Sequence, residues 1–313
     1  MSSLSSNLNP NVVKTALDEV FYDRFDGTLH PGYVDASSPI VFNQDTTDRA
    51  AEIGEVFASG GMWGERAEEE NVEQGQPQVD NKITFHVTNY AQKVVISKNF
   101  FDDNMHGVYE NMVREMAEDG RVTRDTKAFK LYREAFTKTL TADGKPLIAS
   151  DHQLISGEEV SNQVTGNPAL SESALNDAII QLIEQKNQGG TIRGNMPQTL
   201  LVAPKNFKLA SEITESELKS GTDTNDINVY SSKYGINVAT SPFLGSAAGG
   251  NDDAWFLLGT NHQVTRWVRQ AVETVLVDWS VRDNNSYVYK GEFREVAGVP
   301  THNAIVGSDG SGS

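Results

Sequence analysis

The sequence has 313 residues, enough for two domains of ordinary size. It carries 26 Lys and Arg against 43 Asp and Glu, a net charge of −17, so it is a poor candidate for a protein that grips nucleic acid through a basic patch. It has no Cys, which excludes disulfides, thiol nucleophiles and Cys-based zinc sites.

The first 55 residues predict an N-terminal arm. Apolar residues between Val12 and Phe21 follow a helical spacing, and glycines and prolines from Gly27 to Pro39 then favour an extended path. Aromatic residues continue through the segment, although a disordered tail is normally poor in them. We therefore expect an arm that lies on a neighbouring molecule; the alternative is a floppy terminus.

Residues 56–97 predict a long β-hairpin with a polar tip. Ile83, Phe85 and Val87 alternate with polar residues, as in a half-buried strand. The loop before them is glycine-rich and carries five Glu between positions 65 and 73, too polar for a core. Trp63 lies in the same loop beside Arg66, and both residue types are favoured at interface hot spots. Two alternatives stay open: a Trp folded back on its own hairpin, and cation binding by the glutamates.

Residues 101–136 give the longest helical pattern in the sequence. Met105, Val108, Met112 and Met116 form one narrow apolar stripe. Gly120 leaves open whether the pattern is one kinked helix or two. The other faces are densely charged, which is typical of solvated faces; contact with neighbouring subunits is the alternative.

Residues 140–262 alternate between helix and strand patterns. A helix capped by Ser171 is followed by a short apolar strand, a helix begun by Pro204 and three further strand signals. Two longer strands follow, within 272–296. The alternation predicts a compact α/β unit inserted between the long helix and the last strands. Residues from Gly307 onward are rich in Gly and Ser, which predicts a flexible tail.

Sequence motifs for catalysis are few. There is no phosphate-binding loop of the G-x-x-x-x-G-K-[ST] type and no G-x-S-x-G element. The run from Ser150 to His152 has the residue types of a catalytic triad, but adjacent residues cannot easily line up as nucleophile, base and orienter. A polar turn, in which Asp151 bonds local backbone amides, is the better interpretation. We expect no catalytic residue, no metal site and no cofactor.

The sequence predicts neither a membrane-spanning segment nor a signal peptide. No apolar run approaches the ~18–20 residues of a membrane span. The first ten residues lack the basic and apolar regions of a signal peptide. We therefore expect a protein made in the cytoplasm that does not associate with a membrane.

Three stretches together resemble the Mu-like major head subunit family. They are Trp-Gly-Glu-Arg from Trp63, NKITFHVTNYAQKVVISKNFFDDNMHGVYENMVREMAED from Asn81, and DGKPLIASDHQ from Asp143. The family's acidic pair before the long helix corresponds to Asp102 and Asp103. Its G-x-x-L-[IF]-x-[ST]-x-H segment corresponds to residues 144–152. The sequence departs from the family in the arm and at Gln153, where a Pro is frequent.

The resemblance implies an α+β protein with the tailed-phage capsid (Johnson) fold, and it implies a division of the chain into the parts of that fold. These parts are an N-terminal arm at 1–55, an extended β-hairpin loop at 56–97, a peripheral domain with a long spine helix at 98–139 and 263–305, an axial α/β domain at 140–262, and a flexible tail at 306–313.

The function implied by the resemblance is that of a structural subunit of a phage head. Copies would self-assemble into the hexamers and pentamers of an icosahedral virion shell enclosing double-stranded DNA, without sequence-specific binding. The implied partners are portal and scaffolding proteins, with or without a decoration protein. The candidate inter-subunit contacts are Trp63, Glu65, Arg66, Glu68, Glu69, Glu70, Ile83, Phe85, Arg121, Arg124 and Lys127.

Three other classes of function stay open on the sequence. An encapsulin-type nanocompartment shell shares the fold but encloses protein cargo. An α/β enzyme would use Asp151 and His152. A free-standing carbohydrate- or protein-binding module would be monomeric.

Overall fold

A computed structural model describes residues 10–27, 33–58, 77–99, 106–216, 230–281 and 284–312, with the single positions 62, 63, 65, 68, 71 and 75. The helices are α1 (Pro10–Phe25), α2 (His106–Arg133), α3 (Glu172–Glu184) and α4 (Phe207–Thr214). The strands are β1 (Asn43–Thr46), β2 (Ala51–Ala58), β3 (Gln78–His86), β4 (Thr88–Ser97), β5 (His152–Gln153), β6 (Glu159–Val160), β7 (Pro197–Val202), β8 (Asn237–Thr240), β9 (Trp255–Gly259), β10 (Thr265–Val277), β11 (Ser286–Gly298) and β12 (Ile305–Ser308).

Two four-stranded sheets organise the described part of the chain. The first, the long-strand sheet, has the order β1-β10-β11-β4. Its strands β10, β11 and β4 are antiparallel neighbours, and β1 pairs in parallel with β10. The second, the central sheet, has the order β12-β9-β7-β8, in which β7 and β8 are parallel. The two sheets belong to different cores, which a single long helix connects.

Helix α2 is one continuous helix, which settles the alternative raised by Gly120. A side chain at Gly120 would lie 3.1 Å from the ring of Phe25, so glycine lets α1 approach closely. The N-terminal half of α2 contributes Tyr109, Val113 and Met116 to a core shared with α1 and β11. The C-terminal half contributes other residues to the core of the central sheet. The helix therefore takes part in both cores.

The predicted arm lies on its own chain in its described part. Leu17 and Phe21 are 2% exposed and pack with α2 and β11. Further along, β1 joins the long-strand sheet, and the backbone N–H of Ala36 donates to Asp125 at 3.1 Å. Most of the described apolar side chains up to Phe42 are therefore covered within the subunit, whereas Tyr33 and Ile53 stay exposed, and contact of the segment with a neighbouring molecule stays a prediction.

The predicted hairpin is shorter than residues 56–97. Strands β2 and β3 pair with each other. Strand β4 instead pairs with β11 along its whole length, from Ser97 opposite Ser286 to Thr88 opposite Glu295. The break lies at Val87, whose N–H donates to Ala50 at 3.0 Å. The second predicted arm of the hairpin is therefore a strand of the long-strand sheet, where its backbone groups are bonded.

The predicted flexible tail begins with a buried edge strand, β12, at residues 305–308. All four residues of β12 are buried, and β12 pairs antiparallel with β9. The chain stays attached beyond it, since Gly312 donates to the carbonyl of Asn167 at 2.7 Å. Glycine content misled the prediction. A Cβ at position 307 would lie 3.0 Å from the side chain of Phe256 and 3.1 Å from that of Ile148, so this position favours glycine.

Helix α3 packs one apolar face on the central sheet. Ser171 caps it by accepting a hydrogen bond from the N–H of Ala174 at 3.2 Å. Leu175, Ile179 and Leu182 are buried against the sheet. Ile180 lies on the opposite face and is 47% exposed. The helix thus offers a buried and an exposed aliphatic residue two positions apart.

Replacing Leu182 by Ala should lower the free energy of unfolding of the unassembled subunit by about 2–5 kcal/mol, because it leaves a cavity in a packed core. The matched substitution Ile180→Ala should cost less than about 1 kcal/mol. Urea denaturation followed by circular dichroism measures both. Equal losses for the two variants would contradict this packing of α3.

A buried histidine predicts pH-dependent stability. His262 lies between β9 and β10, and burial lowers its pKa to about 4. The unfolded chain takes up this proton near pH 6.5, while the folded His262 stays neutral down to about pH 4. The free energy of unfolding contributed by this residue is therefore complete above about pH 6.5 and is lost as the pH falls towards 4.

The variant His262→Gln should lose less unfolding free energy than the native chain between about pH 7 and pH 4.5. Urea midpoints across that range measure the difference. His86→Gln is the control for the loss of an imidazole, because His86 is exposed on β3. Parallel profiles for His262→Gln and the native chain would refute the assignment.

Candidate functional site

The hairpin of β2 and β3 exposes apolar side chains on a two-stranded ribbon. Ile53, Phe57 and Val79 are 52%, 58% and 47% exposed. Within the loop that joins the strands, Met62 is 84% and Trp63 is 100% exposed. Trp63 therefore does not fold back on its own hairpin, and that alternative is excluded. An isolated two-stranded ribbon is marginally stable in water, so a surface of this kind favours contact with another molecule.

The tip of the hairpin is acidic where the structure describes it. Glu65 and Glu68 are exposed. The other predicted contacts of the tip, Arg66, Glu69 and Glu70, lie outside the described residues. The two described carboxylates are placed where they can meet cations or basic side chains of another molecule.

The root of the hairpin is anchored on its own subunit. The ring of Phe85 stacks on Trp267 with centroids 5.4 Å apart. Gly298 lies beneath that ring, since a Cβ there would be 2.5 Å from it. Phe85 is therefore an intramolecular anchor, and its assignment as an inter-subunit contact stays a prediction. Ile83 is half-buried and lies opposite Gly54 in the same ribbon.

Two of the three predicted basic contacts on α2 are used within the subunit. Arg124 is 5% exposed, forms ion pairs of 3.1 Å with Asp35 and with Asp125, and lies over the ring of Phe25. Arg121 is largely buried and pairs with Glu118 at 2.5 Å. Arg124 and Arg121 therefore leave little charge accessible to another subunit, and their assignment to an interface stays a prediction.

Lys127 is the predicted basic residue of α2 that stays exposed. It lies on a groove of about 620 Å³ between the hairpin root, α2 and β11. Lys130 and Lys138 line the same groove, together with apolar side chains that include Leu131 and Leu140. Two acidic residues also line it, but Glu295 is paired with Arg266 and Glu134 lies 3.7 Å from Lys130. The groove is thus basic through Lys127 and Lys138, because Lys130 and Glu134 offset each other, and apolar side chains line the rest of it.

The Ser150-Asp151-His152 run does not form a catalytic triad. Asp151 pairs with the ammonium group of Lys145, which lowers the pKa of its carboxyl group, and a hydrogen bond from its own backbone amide lowers that pKa further, as in the polar-turn interpretation. His152 is fully buried, and its Nδ1 lies 2.7 Å from Oδ2 of Asp143. Its ring stacks on His302 at a centroid distance of 3.9 Å. No sequence pattern links His302 to His152, because His302 lies far along the chain, after β11.

Among the residues that the structure describes, no helix has both the length and the apolar character needed to cross a bilayer.

Comparison with known proteins identifies the class. A model of the phage capsid protein family matches residues 81–307, well over half of the chain. The chain therefore belongs to the phage capsid protein family and is a structural shell protein. No curated protein matches the sequence at a significant level.

The fold agrees with solved shells at low sequence identity. The virus-like particle from Pyrococcus furiosus matches with a TM-score of 0.55 and 10% identity, over 95% of this chain and 99% of that chain. The structure from Microbacterium phage Oxtober96 matches with a TM-score of 0.52 and 10% identity, over 90% and 93% of the two chains. The capsid of bacteriophage JBD30 decorated with minor capsid protein trimers matches with a TM-score of 0.51 and 14% identity, over 76% and 99%.

These likenesses confirm the predicted α+β tailed-phage capsid fold, and the family match confirms the predicted tailed-phage capsid protein. Membership of the Mu-like subfamily stays a prediction.

The same substitution should have a large effect on stability at Arg124 and almost none at Lys127. Arg124→Met leaves the carboxylate of Asp125 buried without its cation, and should lower the free energy of unfolding of the unassembled subunit by about 3–5 kcal/mol. Lys127→Met, on the exposed face, should change it by less than about 0.5 kcal/mol. Urea denaturation measures both, and a loss for Lys127→Met as large as that for Arg124→Met would contradict the geometry of the helix.

Proposed function

We propose that copies of this chain assemble into the hexamers and pentamers of a closed icosahedral phage head that encloses packaged double-stranded DNA. The observation that carries the proposal is the hairpin of β2 and β3. Its exposed Phe57, Met62 and Trp63 form an apolar surface that a free monomer would leave in water. In a shell, a neighbouring copy covers it.

The partner surface we propose is the basic groove of a neighbouring subunit. The acidic loop that carries Glu65 and Glu68 complements the ammonium groups of Lys127 and Lys138. Exposed ion pairs of this kind contribute about 0–1 kcal/mol each. Burial of apolar area contributes about 25 cal/mol per Å², so Phe57 and Trp63 should supply most of the affinity and the charges should set the register.

We assign the observed sheets and helices to the predicted peripheral and axial domains. The long-strand sheet with α1 and α2 forms the peripheral domain, and the central sheet with α3 and α4 forms the axial domain. Strand β12 belongs to the axial domain, so the boundary proposed at residue 305 moves to the turn before it.

The proposed contents and partners follow from charge and class. A net charge of −17 suits a container that must not hold DNA tightly. Portal and scaffolding proteins, with or without a decoration protein, would complete the head. Synthesis would take place in the cytoplasm of the host bacterium.

The experiment is electron microscopy of the purified full-length chain and of hairpin variants. The native chain should form closed shells. Trp63→Ala and Phe57→Ser should each reduce the fraction of protein in closed shells, with the subunit still folded by circular dichroism. Trp63→Phe is the matched control and should retain assembly, because the aromatic anchor is kept.

Shells of normal yield and heat resistance from both Trp63→Ala and Phe57→Ser would show that the hairpin is not an assembly contact. The charge component has a separate readout. Changing Glu65 and Glu68 to Gln should shift the salt dependence of assembly and leave the shell geometry intact.

A second candidate function is an encapsulin-type shell around protein cargo, which the likeness to the Pyrococcus furiosus virus-like particle favours at the level of fold. Particles isolated from the native host decide between the two. Nuclease-protected DNA inside the particles supports the phage head, and a protein interior without DNA supports the nanocompartment.

A further inference from the structure

Strand β4 forms one edge of the long-strand sheet, and its ladder is long and regular. It pairs with β11 over ten consecutive residues, from Thr88 to Ser97, without a register shift. The strand contains no Gly or Pro and one charged residue, Lys93. Proteins usually protect an exposed edge with bulges, prolines, several charges or a covering segment. A long edge with a single charge therefore favours the addition of another strand.

The hydrogen-bond pattern of β4 shows which of its backbone groups face outward. The N–H of Lys98 donates to the carbonyl of Asn285 at 2.9 Å, one step beyond the last pair of the ladder. Bonded and unbonded pairs alternate in an antiparallel ladder, so the even-numbered residues of β4 bond to β11. The N–H of Val87, an odd-numbered position, accordingly points away from β11 and donates to Ala50 at 3.0 Å. The other outward positions are Asn89, Ala91, Lys93 and Val95.

The chain leaves this edge open and closes the opposite one. The backbone groups of the four outward residues form no hydrogen bond with any other residue that the structure describes, and all four residues are exposed. At the opposite edge, the N–H of Thr46 in β1 donates to Asp45 at 2.8 Å, and the side chain of Gln44 donates to the carbonyl of Ala36 at 2.9 Å. The open edge thus presents donors and acceptors at the spacing of a β-strand.

An apolar groove of about 540 Å³ runs beside the open edge, between β4 and α2. Residues 89–92 line it from β4, and Asp119 and Gly120 are among the residues that line it from α2. Phe293, in the wall of the groove, stacks on Tyr90 at a centroid distance of 5.2 Å. The other apolar residues of the wall are Phe21, Phe25, Met116, Val122 and Val272. Because side chains alternate between the two faces of a strand, a strand added to β4 would place every second side chain over this groove.

The other face of the edge carries a positive charge. Lys93 lies directly opposite Lys290 of β11, and like charges in such a pair repel. Lys290 is paired with Glu292, whereas Lys93 forms no ion pair with a described residue. A carboxylate on an added strand can approach Lys93 from the open side. Two β4 strands paired over residues 89–95 would instead bring the two Lys93 side chains to diagonal positions about 7–8 Å apart, which disfavours pairing of the edge with itself.

The hairpin of β2 and β3 does not suit this site. A Cβ at Gly54 would lie 2.7 Å from Pro300 of the same subunit, and Val56 and Ala58 are buried. One face of β2 is therefore already packed within its own subunit, whereas a strand added to β4 needs one face for the groove and the other for Lys93. The open edge is thus separate from the hairpin contact proposed above.

We propose that the open edge of β4 binds an extended segment of a partner protein by strand addition. The segment carries apolar side chains on the face over the groove and acidic side chains on the face beside Lys93. Its backbone bonds to the outward groups of the odd-numbered residues and supplies affinity, while the groove and Lys93 select the sequence.

The test screens random peptides displayed on yeast against the unassembled full-length chain. Enriched peptides should alternate apolar and acidic residues. One of them, labelled and measured by fluorescence anisotropy, should bind about tenfold or more weakly to Ala91→Pro, which removes an outward N–H and leaves the bonds to β11 in place. Ala91→Ser keeps the N–H and should retain binding. Enrichment of no peptide, or native affinity in a folded Ala91→Pro, would overturn the proposal.

The charge has its own variants. Lys93→Glu should weaken binding of the acidic peptide by about tenfold, because attraction to its carboxylates becomes repulsion. Lys208→Glu is the matched control, since it reverses an exposed charge on α4, and it should leave binding unchanged. Equal effects of the two variants would contradict the role of Lys93.

Amide hydrogen exchange gives a readout that needs no variant. The outward N–H groups of Ala91, Lys93 and Val95 should exchange freely in the unbound chain and become protected when the peptide binds. Protection elsewhere, with these groups unchanged, would refute strand addition. Sedimentation tests a second copy as the occupant: dimers of the native chain that Ala91→Pro abolishes would overturn the partner assignment. Trp63→Ala should keep the peptide affinity whatever its effect on shells, so this proposal and the hairpin contact can fail separately.

Discussion

The rest of the subunit depends on helix α2, which supplies side chains to two separate cores. Near its start, Tyr109 and Val113 pack under α1 and β11. Near its end, Phe129 and Tyr132 pack against the central sheet, and the Tyr132 hydroxyl donates to the carbonyl of Val41 at 3.0 Å. A helix of about 28 residues spans about 42 Å, so it fixes the distance between the two sheets as well as their orientation. Strands that are remote in sequence can then return to either sheet.

The sequence predicted this helix correctly, and it placed the buried face wrongly only in the first turns of the helix. The stripe of Val108, Met112 and Met116 was drawn from the large apolar residues. Val108 and Met112 are 42% and 44% exposed, whereas Tyr109, Val113, Met116 and Ala117 are buried. A tyrosine and an alanine contribute little to an apolar pattern, yet both lie in the core that α2 shares with α1. Periodicity therefore identifies the element and its length, while the buried face depends on the neighbour.

Contacts between distant segments explain what the sequence could not reveal. Arg124 was grouped with the solvated charges of α2, but Asp35 lies in a loop far upstream that folds over it. His152 was considered beside Ser150 and Asp151, although its actual neighbours are Asp143 and His302. The glycine-rich end of the chain predicts a tail because small residues favour flexibility, whereas Gly307 in fact fits beneath Phe256 and Ile148. In each case the local pattern was sound and the deciding partner was remote.

Charge and apolar surface have separate effects in the proposed shell. Several basic residues are already paired inside the subunit, among them Arg124 with Asp125 and Arg266 with Glu295, so the net charge of −17 is carried largely by exposed carboxylates. Two copies therefore repel one another at long range, although salt screens this repulsion beyond about 10 Å at 0.1 M. The attraction of Phe57 and Trp63 for a neighbour acts only on contact and does not depend on that screening. Free subunits should consequently stay soluble, and the geometry of the hairpin contact, rather than the charge, should select which surfaces remain together.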